Sequence, residues 1–110
     1  MKHKTFQTEA NAACMKALDD VMDFEFYKVL FDPARIDIIK YLAFVDNASV
    51  KEVAENFTQD RSVISRHLEL MHRYGIVDKE KQGRYTLYRL NCNYVINKFE
   101  ITAKALKSLM

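Results

Sequence analysis

The sequence predicts a mainly α-helical fold with one small β-hairpin, in the order helix, helix, helix, helix, hairpin, helix. Three observations predict it. The 110 residues hold only 2 Gly and 1 Pro, so little interrupts regular structure. Apolar residues recur at steps of three and four through most of the chain, which is the spacing of one helical face. One stretch alone, on either side of Gly83, is rich in β-branched and aromatic residues and reads as two paired strands.

From about Glu9 to Leu30 there is no Gly or Pro, and Ala10, Cys14, Ala17, Val21 and Phe24 make one apolar stripe. Met15, Leu18, Met22, Phe26 and Val29 make a second on a neighbouring face, so this first helix expects to be covered on more than one side. Asp32-Pro33 starts the second helix, with Asp32 as N-cap and Pro33 at the first helical position, where its missing N–H costs nothing. Ile36, Ile39 and Leu42 are expected to face inward. Ser49 to Glu52 reads as a capping box opening a short third helix that buries Val50, Val53, Ala54 and Phe57. Thr58-Gln59 make the next turn, and Asp60 caps a fourth helix with Ile64, Leu68 and Met71 inward, which Gly75 stops. Ile76 to Lys81 and Arg84 to Leu90 are the expected strands, with Gln82-Gly83 as their turn. From about Asn93 a fifth helix carries Ile96, Phe99, Ala103, Leu106 and Met110 at coiled-coil spacing.

Length and charge bound the function. The chain is one domain long, and a net charge of +2 is too small to argue for nucleic acid by itself, so the placement of the cations must decide. No apolar run reaches the ~18 residues of a membrane span, and the first residues lack the apolar core of a signal peptide, so a cytoplasmic protein with no membrane partner is expected. Two cysteines, Cys14 and Cys92, are too few for a disulfide scaffold.

The order of elements is that of a winged helix-turn-helix, in which the second helix of the motif offers an uncovered polar face to the major groove of DNA. The fourth helix has such a face. Ser62, Ser65, Arg66, Glu69 and Arg73 fall at i, i+3, i+4, i+7 and i+11, with Arg61 at the start and His67 able to reach a phosphate. Arginine forks onto guanine, while hydroxyls and a helix N-terminus suit phosphates. The hairpin adds Lys79, Lys81, Gln82, Arg84 and Arg89 around Glu80. Singly, such charges more often just solvate an exposed face; both elements together, in this order, point to one duplex gripped twice.

These residues resemble the arsenic-repressor-type (ArsR/SmtB) winged-helix regulators over nearly the whole chain. Leu30-Phe31-Asp32-Pro33-Ala34-Arg35 resembles that family's lead into its second helix, Ser62 to Leu68 its recognition helix, and Gly83 to Leu90 its wing. The resemblance implies one winged helix-turn-helix domain over residues 1–110, with the helix-turn-helix at about 49–74, the wing at about 76–90 and dimerisation helices at about 9–30 and 93–110. It implies a homodimeric transcriptional repressor on an inverted-repeat double-stranded DNA operator, released by an inducer that the residues do not name.

The metal sites that the resemblance brings to mind are missing. Ser49 and Lys51 stand where a Cys-x-Cys element would be, and no Asp or His occurs from Asn91 to Met110, so no metal and no other cofactor are expected. His3, His67 and His72 read as structural or solvated. Cys14 and Cys92 are each either a small buried hydrophobe or half of a thiol switch responsive to oxidants or sulfur species. A winged helix used to bind another protein, without specific DNA binding, is the alternative function. Catalysis is not expected, for there is no glycine-rich phosphate loop or ligand cluster, and Ser65 and His67, two apart on a helix, point in different directions.

Overall fold

A computed structural model describes residues 9–110. Six helices and a three-stranded sheet follow in the order α1 (Glu9–Val21), α2 (Phe24–Leu30), α3 (Pro33–Val45), β1 (Ala48–Ser49), α4 (Val50–Glu55), α5 (Arg61–Arg73), β2 (Val77–Gln82), β3 (Tyr85–Leu90) and α6 (Cys92–Lys107). The mainly helical winged fold is as expected, with two additions.

The expected first helix, residues 9–30, is two helices. Asp23 accepts a hydrogen bond from Phe26 N–H and so caps a new start, α2, that turns Phe26, Val29 and Leu30 into the core. The second addition is β1, two residues that pair antiparallel with β3, Ala48 opposite Tyr88 and Ser49 opposite Leu87. The sheet order is therefore β1-β3-β2, and β1 ties the wing to the helix-turn-helix.

Local signals explain most element ends. Asp32 accepts from Ala34 and Arg35 N–H at the start of α3. Ser49 Oγ accepts from Glu52 N–H, and Glu52 Oε1 from Ser49 N–H, the reciprocal capping box. Asp60 sits at the N-cap of α5 as expected, but its side chain makes no cap hydrogen bond. Gly75, at φ +80°, ends α5: its N–H reaches His72 O and Ile76 N–H reaches Met71 O, the Schellman pattern. A Cβ there would lie 2.5 Å from the Tyr94 ring. The hairpin loop is Gly83-Arg84, one residue later than expected, because Gln82 pairs with Tyr85 as the last rung of the ladder. Gly83, at φ +61°, is the first loop residue, as a II′-type turn requires.

The core joins Phe26, Ile38, Leu42, Val53, Ile64, Leu68, Met71, Ile76, Val77 and Tyr88. In α3 Leu42 is buried as expected and Ile38 is the other fully buried position, while Ile36 and Ile39 are half-buried, a shift of the inward stripe by about a quarter turn from that expected. No residue of α6 is buried: Ile96, Phe99 and Leu106 are 52%, 43% and 50% exposed.

Candidate nucleic-acid interface

The core residues Ile64, Leu68 and Met71 fasten α5 by one face, which leaves Arg61, Ser62, Arg66, Glu69 and Arg73 exposed on the other and Ser65 at the margin. The wing packs beside this helix. Directly opposed residues of an antiparallel pair share a face, and Lys79 is opposite Tyr88. Both reach the same carboxylate of α5: Tyr88 Oη donates to Glu69 Oε1 at 2.5 Å, and Lys79 Nζ donates to the two Glu69 oxygens at 3.1 and 3.2 Å. The Tyr88 bond first, and Lys79 next, hold the Glu69 carboxyl below its ordinary range, so it is ionised at neutral pH. Burial, and then Glu69, push the Tyr88 hydroxyl up, so it stays a donor.

Two of the expected contact residues are paired in the structure. Glu69 and Lys79 bind each other and fix the wing to α5. Arg89 is likewise paired, to Asp46 at 3.5 Å. The wing's apparent four cations thus reduce to Lys81 and Arg84, with Gln82 beside them, all exposed. Among the described residues, Arg61, Arg66, Arg73, Lys81 and Arg84 have no carboxylate within ion-pair distance. They are among the cations left for an outside anion.

His67 is half-buried, with Nδ1 3.2 Å from Arg35 Nη1. A guanidinium only donates, so Nδ1 accepts and the proton sits on Nε2. Burial, then the Arg35 charge, lower its pKa, so the ring is neutral at physiological pH. Arg35 in turn donates from Nε to Val29 O at 2.7 Å and lies 3.8 Å from Asp32, so His67 anchors α5 to the α2–α3 corner. His3 lies outside the described residues.

The sequence reading missed Lys51 of α4. It lines a cleft of about 230 Å³ together with Arg61 and Arg84. The sequence signal was its place in the first turn of the helix that precedes the recognition helix, where a cation can face a phosphate.

Cys14 and Cys92 are both exposed in the single chain, on the helices α1 and α6. They do not meet within one chain. Cys14 lines an apolar crevice with Ala105 and Ser108, whereas Cys92 begins α6. From residue 92 to residue 105 a helix rises about 20 Å, far beyond the roughly 7 Å limit between Cα atoms of a disulfide. Among the described residues there is no group of three or more His, Cys, Asp or Glu able to hold a metal ion, and no helix long and apolar enough to cross a membrane.

A capped helix-turn-helix, an exposed cationic recognition face and a β-hairpin locked beside it define a winged helix-turn-helix protein. Residues 30–94 match the model of the HVO_A0114 family. The chain is 30% identical over 71 residues to the arsenical resistance operon repressor of Escherichia coli, an alignment covering 64% of this chain and 61% of that protein. It is 31% identical over 64 residues to the helix-turn-helix-type transcriptional regulator MJ1325 of Methanocaldococcus jannaschii, covering 58% and 72%. The fold matches the homodimeric winged helix-turn-helix DNA-binding domain of Mb0332 from Mycobacterium bovis, with a TM-score of 0.63 and 19% identity over 94% of this chain and 91% of that one. The chain belongs to the HVO_A0114 family and is similar to ArsR/SmtB-type winged-helix regulators, spanning about three fifths of the length of the E. coli repressor it matches.

Proposed function

We propose that the protein is a transcriptional repressor that binds an inverted-repeat operator as a homodimer. The observation that carries this is the exposed row of uncompensated cations running from Arg61, Arg66 and Arg73 of α5 to Lys81 and Arg84 of the wing. Arg66, on the exposed face one turn into α5, reads a base edge; Ser62 and Ser65 bond phosphates near the N-terminus; Lys81, Gln82 and Arg84 follow the neighbouring backbone. His67 offers Nε2–H from its anchored ring. Glu69 and Lys79 act on the duplex through the wing they hold.

The homodimer rests on the uncovered apolar face of α6 and on the extended shape. The radius of gyration is 17.5 Å, against about 13 Å for a compact domain of this length. The same reading takes the chain as a single domain, with the helix-turn-helix at about 49–74, the wing at about 76–90, and α1, α2 and α6 supplying the dimer surface. The E. coli relative is a repressor and the M. bovis neighbour a homodimer, which supports both parts of the reading. Neither relative is an enzyme by its name, which supports a non-catalytic role.

The inducer is the second half of repression. We favour a thiol switch at Cys14 and Cys92, and their separation within a chain requires that any disulfide join two protomers or that each thiol react alone.

The test is an operator titration with Arg66→Ala. Loss of a base contact weakens specific binding by about 1–3 kcal/mol and relaxes selectivity for one base pair. Equal affinity for operator and scrambled duplex in the unmutated protein would leave the winged helix as a protein-binding module.

A further inference from the structure

Beyond the recognition helix and the wing, a third element faces the same anion. The cleft of about 230 Å³ is walled by Ser49, Val50 and Lys51 from the start of α4, by Arg61 from the start of α5, and by Arg84, Tyr85 and Thr86 from the wing. Its three charged residues are all cations, each exposed and, among the described residues, without a carboxylate within ion-pair distance. They come from three separate elements, so their convergence is a product of the fold rather than of a run of lysines.

Three further features favour an anion there. The 13-residue α5 begins at the cleft with Arg61, and Asp60 leaves its first N–H groups without a side-chain cap. Those N–H groups and the positive end of the helix dipole add to the side-chain charge. Of the two acids beside Lys51, Glu52 has one oxygen bound to Ser49 N–H in the capping box, and neither it nor Glu55 lies within ion-pair distance of Lys51. The short β1 covers β3 only at Tyr88 and Leu87, which leaves the β3 edge open at Thr86 and Tyr85, where the cleft lies.

We propose that this cleft seats one phosphate of the DNA backbone, clasped by Lys51, Arg61 and Arg84, so that the first helix of the motif grips the duplex as well as the second. Mutually repelling cations held together without a partner are unfavourable in the free protein, and a phosphate diester relieves that repulsion. Because the clasp joins α4, α5 and the wing tip, the bound phosphate also sets the wing's position over the groove. The inference rests on the DNA-binding reading above and names a residue, Lys51, outside the face that reading uses.

The experiment measures affinity for the operator and for a scrambled duplex of equal length across 50 to 200 mM potassium chloride. Lys51→Gln is compared with the unmutated protein, with Lys51→Arg, and with Lys40→Gln on the exposed face of α3. Each phosphate contact contributes about 0.9 to the slope of log K against log salt. Lys51→Gln is expected to lower that slope by about 0.9 per protomer and to weaken both duplexes by the same factor. Lys51→Arg is expected to restore the slope, and Lys40→Gln to leave it alone. An unchanged slope in Lys51→Gln overturns the clasp, and so does a loss confined to the operator, which would make Lys51 a base reader. Replacing chloride by inorganic phosphate at equal ionic strength gives a further arm. Stronger inhibition of the unmutated protein than of Lys51→Gln, with equal chloride slopes, would assign the cleft to free phosphate and refute the DNA contact. If the unmutated protein binds no duplex, the DNA-binding reading itself fails and the clasp with it.

Discussion

Tyr88→Phe removes a single hydroxyl from the joint between wing and recognition helix, and the structure fixes what should follow. Tyr88 is buried and donates to an ionised carboxylate, Glu69. A hydrogen bond to a charged group is worth about 1.5–3 kcal/mol. Glu69 is 46% exposed and keeps Lys79, so water and the ammonium replace part of the loss; the expected cost is about 1 kcal/mol at pH 7. For a chain of this size that is a fall in Tm of roughly 4–8 °C. The pH dependence is the sharper signature. Because Glu69's carboxyl is held below its ordinary value in the folded state, its contribution is present above the unfolded value and is lost as pH falls through the folded one. The difference between Tyr88→Phe and the unmutated protein should therefore shrink as pH falls below the ordinary carboxylate range and through the lowered pKa of Glu69. Urea unfolding at several pH values, at one fixed protein concentration because self-association adds to stability, measures it. In a double-mutant cycle with Glu69→Gln the two changes should be non-additive. Equal stability at pH 7, or a deficit that stays undiminished once Glu69 is protonated in acid, would refute the account of this joint. Tyr88→Phe should also weaken operator binding while leaving the salt slope unchanged, because it loosens the wing without removing a phosphate contact.

Two other outcomes follow from the same structure. Ile96→Glu places a charge on the uncovered stripe of α6, 52% exposed in the single chain; sedimentation should find a monomer that keeps its helical circular dichroism and binds the operator poorly, and an unchanged dimer would remove α6 from the interface. If the thiols switch the protein, a mild oxidant should release the operator from the unmutated chain and not from the Cys14→Ser, Cys92→Ser double variant, with non-reducing electrophoresis telling cross-linked protomers from singly modified ones; equal behaviour of the two proteins would eliminate the switch.

Much of the scaffold was legible in the sequence because its signals are local. Asp32-Pro33, Ser49 with Glu52, and Gly75 act through hydrogen bonds or backbone angles within a few residues, and each sits at the element end expected of it. The break in the first helix was also a local signal, Asp23 before Phe24-Glu25-Phe26, but the continuous apolar stripe across it concealed the new cap. Strand β1 was not legible, since two residues carry no periodicity and exist as a strand only because β3 lies alongside. The site was harder to read than the scaffold for the same reason. Its exposed cations were visible in the sequence, whereas the partners that neutralise some of them are distant: Lys79 is ten residues from Glu69, and Arg89 forty-three from Asp46. Sequence spacing could not separate the committed charges, Lys79 and Arg89, from the free ones, Lys81 and Arg84. It also passed over Lys51, which joins Arg61 and Arg84 only once β1 draws the wing against α4.

The most direct test of the central claim is a footprint of the purified protein on the promoter of its own gene, repeated as salt is raised. The account predicts protection of an inverted repeat whose half-sites lie about one helical turn, roughly 34 Å, or a multiple of it, apart, fading steeply with salt. Protection of no sequence over any other, or binding indifferent to salt, would contradict it.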